Sequence, residues 1–519
     1  MCGLAGFSFV DDALLERMSA ALQHRGPDDR GEHTEPGFSL CHRRLAIVDP
    51  TERGRQPMYD EDQHLAAVVN GEIYNYPELR DRLVQQGHRL RSECDSEVVL
   101  HLFQEHGPDC FAMLDGMFAL ALLDRRERCL YLATDHLGIK NLYWTVNHGR
   151  LIFSSDLRPL LQCEQVDAEP DQAALDDILT YGYTPSPAAP IRGMQLLQPG
   201  TYLCWREGRH SIERYHAFTR AAVDATPERL LELVDQAVAK CLMSDVPLAV
   251  ALSGGLDSTL VLALAARRHP QIQALYLEVP GMESELEAAR QAAGHVGVPL
   301  TELRLTDYDL EAHLPAIVRS HEVPQDTGSM VPKWYLAREA SRRGLKVVLG
   351  GSGADEVWYG YRRHPWLHAQ IVDGRPTREL EQDYFERFML RYGRGDPWLL
   401  DAYRRESPWV DICAYFDVFH ELPYYHNRRL DKMFMAFGVE YRPCLLDRAL
   451  VQFGLNCPLL TKLEGGRRKA FLRKAAALVL PGELCDRPKV PLKIQQVVED
   501  ERGWLEWLIG IWKQELLNR

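Results

Sequence analysis

The chain opens Met1-Cys2-Gly3. A small second residue permits removal of Met1, which leaves a thiol and a free α-amine on Cys2. A thiol near pKa ~8.5 and an α-amine near ~7.7–8.0 both lie close to neutrality. The amine can therefore take the thiol's proton, and the thiolate can attack an acyl carbon. A second-position cysteine can equally be incidental, so its neighbours must decide. A second reactive pattern is AVALSGGLDSTL (249–260): an apolar run, the turn Ser253-Gly254-Gly255-Leu256-Asp257-Ser258, and a helical continuation. Its glycines let backbone N–H groups approach a phosphate, and Ser258 at a helix N-terminus favours an anion. Asp257 offers a hard oxygen to Mg²⁺. The turn lacks G-x-x-x-x-G-K-[ST], so it is not a Walker A loop.

Around Cys2 stand HRGPDDRG (24–31), HRRLAIVD (42–49), VVNGEIYNY (68–76) and CDSEVV (94–99). With these the first part of the chain resembles the glutaminase of class II glutamine amidotransferases, of the N-terminal-nucleophile type. The resemblance implies that Cys2 attacks the glutamine carboxamide and that Asn70 and Gly71 supply the oxyanion donors. It implies that Arg44 forks onto the glutamine α-carboxylate, a planar task that suits arginine. Ile47 and Val48 join it in binding glutamine, and Glu72 and Asp95 accept from the α-amine. The bland reading of Asp95 is a helix cap.

The turn at 253–258 resembles the loop of ATP pyrophosphatases, which split ATP to AMP and pyrophosphate. VVLGGSGADEVWYGY (347–361), LDKMFMAFGVEYRPCLLD (430–447) and RKAFLRKAAALVLPGELCDRPKVPLK (468–493) resemble segments of the asparagine synthetase family, in that family's order. The resemblance spans nearly the whole chain. It implies ATP binding by Leu252, Ser253, Gly254, Gly255, Asp257, Ser258, Gly350 and Gly351, and Mg²⁺ binding by Asp257 and Asp355. It implies that Lys489 contacts the adenylate. The implied reaction takes ammonia from glutamine to a carboxylate activated as acyl-AMP, by default aspartate to asparagine. ATP and Mg²⁺ are then the cofactors, and glutamine and a carboxylate acceptor the partners; a homodimer is compatible with it.

The likeness weakens on the acceptor side. The family's S-G-E-G-S-D-E carries a Glu where this chain has Ser352. R-V-P-F-L-D has become Arg442-Pro443-Cys444-Leu445-Leu446-Asp447, and a small Ser has become Phe434. Serine is no base near neutral pH and carries no charge. A different carboxylate acceptor is therefore a rival to aspartate, unless Glu356 or Glu322 takes over the missing role. Three other readings differ in kind. A β-lactam-synthetase-like ring closer would have no need of Cys2. A phosphoribosyl amidotransferase would have no need of the 253–258 turn. A non-catalytic scaffold predicts decayed motifs, and these are mostly intact.

Elements must hold these residues in place. LAAVVN (65–70), MFALALLD (117–124), CLYLAT (129–134), LYWTV (142–146) and RLIFSS (150–155) read as strands between turns. PELRDRLVQQG (77–87) and DSEVVLHLFQEHG (95–107) read as helices, the second capped by Asp95 and closed by a glycine. A hairpin at TYLCWREGRHSIERYH follows the loop at 185–200. This predicts an α+β layered domain over 2–215, which the resemblance implies is an N-terminal-nucleophile glutaminase domain. From 225 a helix leads into PLAVALS (247–253), IQALYLEV (272–279) and LKVVLGG (345–351), alternating with helices. That pattern predicts an α/β parallel-sheet domain over 225–519, which the resemblance implies is an ATP-pyrophosphatase domain. Beyond 360 the chain reads as a helical, aromatic C-terminal part.

At 519 residues the chain is long enough for two cores. Its net charge of −14 argues against a general nucleic-acid grip. No apolar run reaches bilayer-spanning length, and the N-terminus has no basic n-region, so the expectation is neither membrane nor secretion. Twelve cysteines with no C-x-x-C pair suggest a reducing cytoplasmic setting, without a disulfide framework or zinc knuckle. His364 and His368 are spaced like metal ligands, but Pro365 between them favours an exposed loop.

Overall fold

The computed structural model describes residues 2–185, 187–280, 283–325, 328–391, 398–406, 409–487 and 501–517. The first 215 residues form two six-stranded sheets packed face to face. In the first sheet Gly3–Phe7 lies between Phe38–Arg44 and Arg150–Ser154, antiparallel to both. In the second, Leu65–Ile73, Gly116–Asp124 and Cys129–Thr134 make the centre. Leu4, Leu40, Val68, Ala121 and Phe153 fill the space between the sheets. The outer faces are covered by Asp12–Ala21 on one side and by Tyr76–Gln85 and Val98–His106 on the other. The result is the helix–sheet–sheet–helix layering expected of an N-terminal-nucleophile domain. Every residue of Leu65–Ile73 is buried, because the helices seal one face and the first sheet the other.

The strands expected from the sequence are present, but several others escaped it, among them the first three. Gly3–Phe7 reads GLAGF, with little β preference. It is a strand because two neighbours clasp it: a Cβ on Gly6 would lie 2.5 Å from the Ser39 carbonyl. Asp29–Glu35 is mostly polar and forms the edge, and Phe38–Arg44 ends in charge.

The second part is a five-stranded, wholly parallel sheet. Its order is Leu300–Arg304, Gln273–Glu278, Leu248–Ala251, Val347–Gly350, Glu440–Pro443. The strand order reverses direction between Leu248–Ala251 and Val347–Gly350. In such sheets the crevice beyond the carboxyl ends of these two strands is the natural ligand site. Both glycine turns singled out above, at 253–255 and 350–351, leave from those two ends. The tail beyond 360 is mostly helical, with one correction: it contributes the fifth strand, Glu440–Pro443. Its polar Glu-Tyr-Arg-Pro sequence hides the strand, which is fully buried through an internal Glu440–Arg442 ion pair.

His364 also corrects the sequence reading. It lies buried on the helix Arg363–Val372, with Nε2 2.7 Å from Asp417 Oδ2. Pro365 sits in that helix's first turn, where a missing N–H costs nothing. The twelve cysteines are free thiols. Among the described residues no helix is long and apolar enough to cross a membrane.

Candidate functional site

Cys2 sits at the start of the central strand of the first sheet and is buried. Its backbone N–H donates to Asn70 Oδ1 at 3.0 Å, and its carbonyl accepts from Arg25 Nε at 3.0 Å. Asn70 Nδ2 points to Ser155 Oγ at 3.4 Å, which also accepts from Leu4 N–H. The side chain of Asn70 is thus locked beside the Cys2 amine. Burial pushes the Cys2 thiol up, opposed by the Leu45 backbone N–H and Arg44. Gly71 has φ +150°, and a Cβ there would lie 2.0 Å from the Met117 carbonyl, so only glycine fits.

Arg44 is buried and donates to the carbonyls of Val48, Asp49 and Thr51. Those contacts fix the guanidinium plane without neutralising it. Ile47 is buried and Val48 half-buried in the same turn, which Asp245 N–H holds through the Ile47 carbonyl at 3.0 Å. Asp95 does not cap a helix. A 3₁₀ turn, Asp95–Glu97, precedes the helix, and the Asp95 carboxylate instead accepts from Ile73 N–H at 2.6 Å.

Glu72 lies beside it, buried, with Oε1 3.4 Å from Arg442 of the fifth parallel strand and Oε2 without a hydrogen-bond partner. Burial pushes the Glu72 carboxyl well up, with Glu440 and Asp95 adding to the effect and Arg442 opposing it. Burial likewise pushes Asp95 up to about 6, eased by the Ile73 N–H and worsened by Glu440. Three carboxylates around one guanidinium leave an excess of negative charge there, which favours a further cation such as an α-ammonium.

In the second half, Ser253 N–H and Ser253 Oγ both meet Ser258 Oγ, at 3.2 and 3.1 Å, which closes the turn. Gly254 has φ +78°, and a Cβ there would strike Ala288 at 2.6 Å. Leu252 is buried, tied by its N–H to the Leu275 carbonyl. Gly351 lets the second turn approach: a Cβ would lie 2.7 Å from that of Asp257. Gly350 leaves room for the Tyr441 hydroxyl.

These turns open onto a cavity of about 600 Å³. Asp257 and Asp355 both line it, and Lys469 Nζ lies between them at 2.5 and 2.7 Å. Burial alone would lower the lysine's pKa, but the two carboxylates more than offset it and push it up to about 12. Asp257 Oδ1 is buried without a partner, so this hard-oxygen pair still has capacity for a divalent cation.

Lys489 lies outside the described residues. Lys469 is the cation that sequence reasoning missed. It stood in the quoted 468–493 segment among several other basic residues, and only the fold shows which one reaches the acids.

The acceptor side of the cavity also differs from expectation. Ser352 Oγ is 2.8 Å from the Tyr441 hydroxyl, and the Phe434 ring packs 4.8 Å from that of Tyr441. A phenol thus fills the space beside Ser352. Glu356 lines the cavity and meets Tyr361 and His426. Glu322 does not: it is bound to Lys432 at 2.6 Å and Arg158 at 2.9 Å between the two halves. Arg363 and Arg391 on the inner wall are neutralised by Asp417 and Glu421. Arg429 is buried against Tyr425 and meets Ser329 Oγ, with no carboxylate at ion-pair distance among the described residues.

Residues 1–216 match the family model described as a glutamine amidotransferase domain, and residues 229–517 the model described as asparagine synthase. Among curated proteins the chain is similar to asparagine synthetase [glutamine-hydrolyzing] 1 of Bacillus subtilis (strain 168), 28% identical over 98% of this chain and 90% of that protein. It is 35% identical to asparagine synthetase [glutamine-hydrolyzing] of Asparagus officinalis, over 92% of this chain and 73% of that one. With asparagine synthetase [glutamine-hydrolyzing] 3 of Arabidopsis thaliana it shares 35% over 70% of this chain and 61% of the relative.

Proposed function

Because the chain belongs to the glutamine-hydrolysing asparagine synthetase family, we propose that it hydrolyses glutamine at Cys2 and delivers the ammonia to a carboxylate activated by ATP. One observation carries this reading. Adjacent residues of the strand Glu440–Pro443 reach both sites: Arg442 meets Glu72 in the first, and Tyr441 meets Ser352 in the second.

Glutamine enters with its α-ammonium in the Glu72–Asp95 recess and its α-carboxylate on Arg44. Cys2 transfers its thiol proton to the α-amine and adds to the carboxamide carbon. The oxyanion accepts from Asn70 Nδ2 and Gly71 N–H. The C–N bond breaks, nitrogen leaves as ammonia with the transferred proton, and water releases glutamate from the thioester. In the second site an acceptor carboxylate oxygen attacks the α-phosphorus of ATP and pyrophosphate departs. Ammonia then displaces AMP from the acyl carbon. The 253–258 turn, with Gly350 and Gly351, cradles the phosphates. Asp257 and Asp355 would hold Mg²⁺, which supplies charge neutralisation for the phosphates when bound. Lys469 orients the two carboxylates, and Lys489 is assigned to the adenylate on the family resemblance alone.

Aspartate is the default acceptor, and Arg429 supports an acceptor with a second anionic group. The Ser352–Tyr441 pair favours a second reading, in which the acceptor differs from aspartate near its reacting end. Burial pushes the Tyr441 phenol up, so at neutral pH it is a neutral hydrogen-bonding group beside Ser352, the residue that stands where the family carries a carboxylate. The test is a panel of carboxylates with ATP, Mg²⁺ and glutamine, scored by AMP and product mass. Asparagine from aspartate supports the default. AMP with another acid alone supports the second reading, and ADP as the nucleotide product removes both.

A further inference from the structure

Away from both sites, three side chains converge on the outer face of the glutaminase half. His88 Nδ1 and His101 Nδ1 are 3.2 Å apart, and Glu61 Oε1 is 3.9 Å from His101 Nδ1. All three ligand atoms lie within 4.8 Å of one another. His101 is buried on the helix Val98–His106, while His88 is half-buried and Glu61 exposed.

The far nitrogens decide what the near ones do. His88 Nε2 is 2.9 Å from Glu105 Oε1. His101 Nε2 faces Glu97 Oε1 at 3.7 Å and, though buried, has no hydrogen-bond partner. A lone pair facing a carboxylate is repelled, so each imidazole keeps its hydrogen on Nε2. With that tautomer, two Nδ1 lone pairs face each other across 3.2 Å, with the Glu61 carboxylate beside them. That arrangement suits a cation between them. Glu97, which caps the helix Val98–His106, stands one turn before His101, and Glu105 one turn after it, so a single stretch of chain supplies a ligand and both carboxylates behind the histidines. A carboxylate behind each ligating histidine is the usual outer support of a metal site.

We propose that Glu61, His88 and His101 form a binding site for a divalent transition-metal ion of the zinc type. Two imidazoles and a carboxylate suit zinc, and tetrahedral donors at about 2.0 Å from the ion stand about 3.3 Å apart, close to the 3.2 Å between the two Nδ1 atoms. The exposed side leaves the fourth position to water. The ion ties the loop at His88 and the turn at Glu61 to the helix, bracketing the segment that carries Cys94 and Asp95.

The test uses the full chain, freed of metal by chelation, then titrated with Zn²⁺ and separately with Co²⁺. The expected result is one ion retained per chain, a tetrahedral cobalt spectrum without a thiolate charge-transfer band, and a melting temperature that rises with zinc. His88→Gln, at a half-buried position, is expected to weaken Zn²⁺ binding by at least ~100-fold, and Glu105→Gln by about 10–100-fold. His101→Gln should match His88→Gln if it folds. No retained ion overturns the proposal, as does a thiolate band that His88→Gln leaves unchanged. So does a melting temperature that responds to pH but not to zinc, which would assign the cation to a shared proton.

Discussion

The glutaminase site and the synthetase cavity lie on opposite faces of one buried strand, yet they are built differently. The first is assembled from neighbouring strands of two sheets. Cys2, Asn70, Gly71 and Glu72 are held by the sandwich itself, and each polar group has a fixed contact or a defined vacancy for ligand charge. The second draws on turns and helices far apart in sequence: 253–258, 350–355, 425–434, 441 and 469. Its charges are held by one another, as Lys469 is by Asp257 and Asp355. A site made by a sandwich tolerates little change, whereas a site made by separate segments can be re-specified one residue at a time. Two departures from the family pattern, Ser352 and Phe434, line the cavity, whereas the altered Pro443–Leu446 stretch lies behind it.

The sharpest way to separate the two is Cys2→Ala. Glutamine-dependent synthesis should fall by ~10⁴-fold or more, the scale at which loss of a nucleophile is felt. Synthesis from free ammonia should persist. Glutamine turnover undiminished in a coupled glutamate assay would break the assignment of Cys2.

The converse damage is Asp257→Asn or Asp355→Asn. Each should cut AMP formation by about 10²–10³-fold, as loss of one preorganised electrostatic group does, while glutamate release continues. Lys469→Met should behave like them, because it leaves the two carboxylates facing each other. A loss of glutamate release in any of the three would show that the sites are not separable.

Arg442→Leu strikes the strand between the sites. It leaves Glu72 and Glu440 buried without their cation, which costs about 3–5 kcal/mol for a broken buried pair. Urea unfolding should report that loss, and glutamine should bind more weakly. Unchanged stability would mean that the carboxyls take up protons at no cost. On the cavity side Arg429→Gln should raise KM for a dicarboxylate acceptor by about 10–100-fold, the worth of a charge-assisted hydrogen bond. KM for ATP should not move; if it does, Arg429 serves the nucleotide.

The same contrast explains what the sequence could tell. Cys2, the Asn70-Gly71-Glu72 run and the 253–258 turn are contiguous strings on regular elements, so they could be singled out as candidates. Gly3–Phe7 and Glu440–Pro443 were not, because the first owes its strand to close backbone approach and the second to an internal ion pair. Tyr441 beside Ser352 is a contact between residues 89 apart, which periodicity cannot show. Lys469 could not be told from its basic neighbours until the fold brought Asp257 and Asp355 to it. His364 read as an exposed loop because a proline followed, although that proline sits harmlessly in a helix's first turn.

The smallest expected effect is a pH limb that belongs to one site alone. Asp95, pushed up to about 6 by burial against an ordinary value near 3.8, holds a proton in the folded chain that it would lose when unfolded. The stability it contributes is therefore complete below pH ~4 and lost as pH rises through ~6. Glutamine binding runs the other way, since the α-ammonium needs the carboxylate. Glu72 is raised by the same burial, and Glu440, Arg442 and the Ile73 N–H face the same recess, so the limb belongs to the Glu72–Asp95 pair jointly. Between pH 5 and 7, kcat/KM for glutamine should rise with an apparent pKa near 6, up to about tenfold per unit below it. The ammonia-dependent reaction, corrected for the free-base fraction, should lack that limb. Asp95→Asn should shift the glutamine profile, leaving Glu72 alone to set the limb, without touching the ammonia profile. A limb shared by both nitrogen sources would move its origin to the cavity side and break the assignment to the Glu72–Asp95 pair.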